Sequence, residues 1–342
     1  MIRALLALAL AIPAATAAAP PKPLFAGDEP IRLTIAGPIP AVVRGATGEN
    51  RPLDATLTLA AAAETHPIKL SARGITRRKR ETCQFPPLRV EFAQPPAATS
   101  LFHGQRRLKL VTHCRGSAGF QQHLLLEYAA YRLYNALTPA SFRVRLATID
   151  YADGGGKPLT TRLGFFIEDT DDAARRNQLR EAKTGERIQT AQLSARDAAR
   201  VAVFEYMIGN LDWSTRAGPA GDSCCHNSKL IGPGAAGKLI PLPYDFDFSG
   251  LVDAPYAFPP EMVPVKSVRQ RRYRGYCAHN ADAMAVAGEM RAQRGALIAT
   301  LGQIPQLEAR TRQKAAAYLD GFFADIATDQ GVSAKLLKTC IN

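Results

Sequence analysis

Residues 241–250 read PLPYDFDFSG, with two acids, Asp245 and Asp247, spaced two apart among aromatic side chains. Read as a strand, this spacing predicts that both carboxylates point to the same face. Acids are depleted in strands, and two of them together in an apolar setting repel unless a positive group neutralises them. The segment therefore raises the expectation of a divalent cation held by Asp245 and Asp247.

Working outward, NSKLIG (227–232) and KLIPLPYDF (238–246) read as a β-hairpin around the glycine-rich turn PGAAG. Before it lies the polar stretch NLDWSTRAGPAGDSCCHN (210–227). Before that, SARDAARVAVFEYMIG (194–209) reads as a helix. Ser194 and Asp197 mark its start, and Gly209 with Asn210 its end. This order places Asp212 just past a helix and Asn227 at the foot of the hairpin. Oxygen ligands of this kind suit Mg²⁺ or Mn²⁺.

Further upstream, IRLTIAG, ATLTLA, IKLSARG, PPLRVEF and RRLKLVTHC read as strands between residues 31 and 114. FQQHLLLEYAAYRLYNAL (120–137) carries helical periodicity. FRVRLATIDY and RLGFFIED form a strand pair around ADGGGKP, residues 170–190 read as a polar surface segment, and residues 281–338 are Ala-rich and helical. A β-rich half followed by a helical half predicts an α+β protein with two lobes.

The chain has 342 residues, 46% of them hydrophobic, and a formal net charge of +13. Its first 19 residues, MIRALLALALAIPAATAAA, have the charge, short apolar run and small residues of a secretory signal peptide, with cleavage expected near Ala17 or Ala19. Residues 20–30 read as a flexible leader. The expected location is secreted or periplasmic. The six cysteines then read as disulfides rather than a zinc site, because adjacent Cys224 and Cys225 make a poor tetrahedral chelate. The expected pairs are Cys83 with Cys114, and Cys224 and Cys225 separately with Cys277 and Cys340, since bonding neighbours strains the backbone. The basic run RRKRETC (77–83) lacks interleaved aromatics, so nucleic acid is not the expected partner.

The order of strand lysine (Lys109), helix glutamate (Glu127), loop aspartate (Asp212), asparagine (Asn227), hairpin and Asp245 resembles the protein-kinase-like superfamily. Within it, the chain resembles the CotH-like secreted atypical kinases over residues 68 to 250. The motifs are ARGITRR followed by PPLRVEF, LGFFIEDTD, and above all IPLPYDFDFSG. The resemblance implies a two-lobed protein-kinase-like fold, with a β-rich N-lobe carrying one long helix (31–170) and a helical C-lobe (171–342). It implies ATP or another nucleotide as cofactor. On the same resemblance Lys109 would bind phosphates, with Arg89 as its rival, and Glu127 would pair with that cation. Arg73 and Gly74 would lie over the phosphates, and Glu168 would join the nucleotide-binding set. Asp212 would be the catalytic base, and Asn227, Asp245 and Asp247 would hold the metal. The chain departs from the pattern in placing Asp212 and Asn227 fifteen positions apart and in lacking a G-x-G-x-x-G before Lys109. The expected function is an exported monomeric kinase-like transferase that passes a phosphoryl or nucleotidyl group from a nucleotide–metal complex to a protein or envelope acceptor. Its alternatives are an inactive kinase-like scaffold and a metal-dependent hydrolase.

Overall fold

The structure is a computed structural model that describes residues 19–234 and 237–342. All but the last residue of the proposed signal peptide, and two residues of the hairpin turn, fall outside this range. Seven strands form one sheet: β1 (Ile31–Ala36), β2 (Leu53–Leu59), β3 (Glu64–Ala72), β4 (Leu88–Phe92), β5 (Arg107–Val111), β6 (Val144–Ala152) and β7 (Pro158–Ile167). Their spatial order is β1-β2-β3-β4-β5-β7-β6. Neighbours are antiparallel until the last step, where β6 runs parallel to β1 from Ile31↔Ala147 to Ala36↔Ala152 and closes the sheet into a barrel.

This closure overturns the two-lobed kinase-like expectation. A mixed, closed seven-stranded barrel leaves no edge strand, and it does not fit that architecture. Alternation in a sequence says which face of a strand is apolar, but not which strand lies beside it. The β1·β6 pairing joins residues more than a hundred positions apart, and no local signal marks it.

Pleating explains how the barrel has two coats. Ala147, Ile149 and Phe166 point into the barrel with Leu33, Leu70 and Val90. Their neighbours Leu146 and Phe165 point outward onto the long helix α2 (Ala118–Leu137), which follows α1 (Ile39–Arg44). After α3 (Thr170–Arg176), the short strand β8 (Arg180–Glu181) joins a second sheet. Helix α4 (Ala195–Ile208) packs its apolar face into the larger core, and β9 (Ser228–Gly232) and β10 (Ile240–Pro243) complete the sheet in the order β10-β9-β8. The remaining helices α5 (Asn280–Ala292), α6 (Arg294–Gly302), α7 (Ala309–Asp325) and α8 (Asp329–Lys335) enclose that core. Residues 170–190, expected to be plain polar surface, thus contribute a helix and a strand. Among the described residues, no helix is long and apolar enough to cross a membrane.

Six cysteines form three disulfides, as an oxidising compartment permits: Cys83–Cys114, Cys277–Cys340 and Cys224–Cys225. The first agrees with expectation and the others correct it. The C-terminal end is brought to Cys277 by a parallel bridge between Tyr276 and Ile341 and by the Cys277 N–H donating to the Ile341 carbonyl at 2.9 Å. Cys340 therefore reaches Cys277, and the adjacent pair is left to close on itself.

Candidate functional site

A cavity of about 700 Å³ opens between the 73–77 segment, the 212–229 loop and the end of the β9–β10 hairpin. Helix α4 delivers the first component. Its C-terminus stops at Gly209, in the left-handed region at φ 66°, where a Cβ would stand 2.0 Å from the Tyr318 hydroxyl. The chain then turns sharply. Asn210 Oδ1 accepts from the Asp212 N–H at 3.0 Å, and Trp213 Nε1 donates to the Asn210 carbonyl at 3.1 Å. Arg274 ties down the Leu211 and Trp213 carbonyls. Asp212 is thus held on a rigid loop at the cavity wall.

The loop's far end returns to the same point. Asn227 Nδ2 donates to the Asp212 carbonyl at 2.7 Å and to Asp212 Oδ2 at 3.0 Å, while His226 Nε2 lies 2.7 Å from Asp212 Oδ1. The hydrogen bond from Asp212 raises the His226 pKa above its ordinary value. The fifteen-position spacing does not separate Asp212 from Asn227, because the chain between them folds back as a loop anchored by the Ser214 N–H to the His226 carbonyl at 2.9 Å.

The hairpin delivers the acids, but not as strand neighbours. β10 ends at Pro243, and Asp245 follows in a left-handed conformation at φ 65°. Asn227, at φ 49°, is likewise left-handed. Such backbone is uncommon outside glycine, is tolerated best by Asn and Asp, and concentrates at functional sites. The premise that Asp245 and Asp247 share a strand face is therefore corrected.

What the two acids hold is Arg77. This buried guanidinium meets Asp245 through Nη2, Asp247 through Nε at 3.2 Å, and Glu127 of α2 through Nη1 at 2.9 Å. The charges do not balance, since three carboxylates face one guanidinium in contact. Burial lifts Asp247 well above the ordinary carboxylate range, and Glu127 is raised for the same reason. Asp245 moves the other way. Burial pushes its pKa up, but Arg77 and Arg73 together outweigh that and lower it. A proton on Asp247, whose Oδ2 also accepts from the Tyr256 hydroxyl at 3.0 Å, still leaves one surplus negative charge. Ligand atoms of Glu127, Asp245 and Asp247 lie within 4.8 Å of one another, so this cluster could hold a metal ion. Of the three, Asp245 and Asp247 line the cavity, and hard carboxylate oxygens suit Mg²⁺ or Mn²⁺. Arg77 stands among them, so an ion entering the trio shares or displaces its contacts.

Cationic side chains line the same cavity. Arg73 and Lys229 line the cavity, and Lys109 stands behind Tyr244 with its ammonium 5.3 Å from that ring and 5.5 Å from Phe142. Burial first, and Arg73 second, depress the Lys109 pKa to about 8. Among the described residues Lys109 has no ion-pair partner. The expected Lys109–Glu127 pair is absent because Glu127 belongs to Arg77. Arg89, its rival, points outward from β4, half exposed and 3.8 Å from Glu91. Glu168 lies away from the cavity, where it accepts from Arg176 Nη2 at 2.9 Å and from the Arg143 N–H at 3.0 Å. Gly74 lines the rim at φ 86° beside Arg73. The cavity thus brings together Arg73, Gly74, Asp212, Asn227, Asp245 and Asp247, and excludes Arg89 and Glu168. Arg77, His226 and Lys229 were missed. For Arg77 a signal existed: buried paired acids require a cation, and the basic run at 77–80 supplies one.

Beneath the Asp212 loop lies Glu205 of α4, 1% exposed, with neither carboxylate oxygen in a hydrogen bond of ordinary geometry. Burial pushes its pKa well up, outweighing the nearby Asn210 side chain that lowers it, and the charge on Asp212 adds to the rise. A carboxyl raised on folding contributes most below its unfolded pKa of about 4.3 and loses that contribution as pH rises through the folded value. Glu205→Gln is therefore expected to melt higher than the unaltered protein at pH 8, by an amount corresponding to about 1–3 kcal/mol, with the gain shrinking toward pH 4. Melting below the unaltered protein at pH 8 would show that the carboxyl has a partner worth more than its ionisation costs.

No family model matches the chain, and no curated protein matches it.

Proposed function

We propose that this protein is an exported phosphotransferase that takes a nucleotide with Mg²⁺ or Mn²⁺ in the cavity and passes a phosphoryl group to a hydroxyl of an envelope acceptor. The observation that carries this reading is the meeting of cationic and acidic side chains in the lining of one cavity. Arg73 and Lys229, with Lys109 behind them, match the charge of a polyphosphate. Asp245 and Asn227, with Asp247 deeper, supply oxygen donors for the cation, which when bound would offset charge on the phosphate oxygens. Asp212 accepts the proton of the acceptor hydroxyl as its oxygen bonds to phosphorus and the nucleoside diphosphate leaves. His226 and Asn227 fix the Asp212 carboxylate for that role. The barrel differs from a kinase fold, and the reading rests on the side chains rather than on the scaffold.

A metal-dependent hydrolase is the second reading, favoured by the Asp212–His226 contact, which could equally orient a water. Thermal melting with ATP and Mg²⁺ or Mn²⁺, singly and together, tests both. At a hundred times its dissociation constant a ligand stabilises by about 2.7 kcal/mol. The expected result is a large shift only with nucleotide and metal together. No shift under any combination overturns both readings. A shift accompanied by nucleotide hydrolysis that added acceptor extracts do not slow favours the hydrolase.

A further inference from the structure

Among the described residues five large apolar side chains stand exposed; two of them line the cavity, and a third lies four residues from one of these. Ile75 (72% exposed) and Phe258 (60%) line it, and Met262 (94%) follows two residues after Pro260, which also lines it. These apolar tips sit on two loops that also carry Lys79, Arg80 and Lys266, all exposed and without an ion-pair partner among the described residues. Glu81 and Glu261 are the acids interspersed with them. The chain's net charge of +13 has the same sign.

We propose that this face rests on an anionic lipid surface, with Ile75, Phe258 and Met262 entering the headgroup boundary and the basic side chains meeting the lipid phosphates. Apolar tips ringed by Lys and Arg are the pattern by which a protein lies on a membrane without spanning it. Each basic side chain near an anionic leaflet contributes about 1 kcal/mol, or about fivefold in affinity. The three tips are spread over two loops and form no continuous apolar patch, which suits a soft, fluid surface better than a shaped protein partner. In this orientation the cavity mouth opens toward the lipid headgroups. The inference rests on the surface alone and does not depend on the chemistry proposed for the cavity.

The test is sedimentation of the purified protein with vesicles of phosphatidylcholine alone and of equal parts phosphatidylcholine and phosphatidylglycerol. The protein is expected to pellet with the anionic vesicles and remain in solution with the neutral ones, and high salt is expected to release it. Lys79→Glu with Lys266→Glu should weaken binding by at least about thirtyfold, at ~1 kcal/mol per lost lysine. Phe258→Ser with Met262→Ser should also weaken it. All four side chains are exposed, so both double variants should melt like the unaltered protein, which separates lost binding from lost folding. Absence of pelleting with either vesicle overturns the proposal. So does undiminished binding by either double variant, or retention by polyglutamate with no retention by anionic vesicles.

Discussion

Arg77→Met is expected to destabilise the protein by about 3–5 kcal/mol, because it strands Glu127, Asp245 and Asp247 together without their guanidinium. The loss should depend on pH in a definite sense. Without Arg77 all three carboxyls titrate higher in the folded state than in the unfolded chain. Their contribution is then intact only in acid and is lost as pH rises through the folded values. The gap between variant and unaltered protein should accordingly widen from pH 5 to pH 8 in thermal melts. Mn²⁺ should close part of that gap if the trio accepts a cation in place of the guanidinium. Arg77→Lys should fall between the two, since an ammonium restores charge but not the fork that reaches three acids at once. An Arg77→Met protein that melts like the unaltered one at pH 8 would mean that the acids are neutralised by protons alone, and the metal reading would lose its electrostatic ground.

Asp212→Asn is expected to lower phosphoryl transfer by about 10²–10⁴-fold while leaving the melting shift with nucleotide and metal nearly intact, because the amide keeps the shape but cannot take the hydroxyl proton. A second readout requires no substrate. The Asp212 carboxylate is the main cause of the raised His226 pKa, so an NMR titration of the His226 ring should show that pKa falling in the variant. A histidine raised on folding stabilises below its unfolded pKa of about 6.5, and that contribution disappears as pH rises through the folded value. Any stability difference from this contact should therefore appear in mild acid and vanish at alkaline pH. Full turnover in Asp212→Asn would remove Asp212 as the base. An unchanged His226 titration would show that the 2.7 Å contact does not persist in solution.

Much of the cavity was legible in the sequence because its pieces carry local signals. Gly209 after an amphipathic helix locates the turn that presents Asp212. A hairpin with a glycine-rich turn locates Asn227 and Asp245. Aspartates among aromatic residues mark buried charge. The partner of those aspartates was not legible. Arg77 lies 168 residues before Asp245, and one arginine in a basic run looks like any other until the chain folds. Lys109 shows the converse. Its strand is read correctly, but its ammonium lies against Phe142 and Tyr244 rather than Glu127.

The sequence by itself determined most of the strand and helix segments, though not those at 170–181, the reading of the cysteines as disulfides, and the two acids that needed a counter-charge, because each follows from periodicity, composition or neighbours a few residues apart. Only the tertiary structure decided that β6 returns beside β1 to close a barrel, that Cys340 reaches Cys277 and leaves Cys224 to Cys225, and that Arg77 answers Asp245 and Asp247. Each of these is a choice among distant partners of similar local character. Such choices are settled by which arrangement buries the most apolar surface while leaving the fewest charges unpaired, a property of the whole chain and not of any segment.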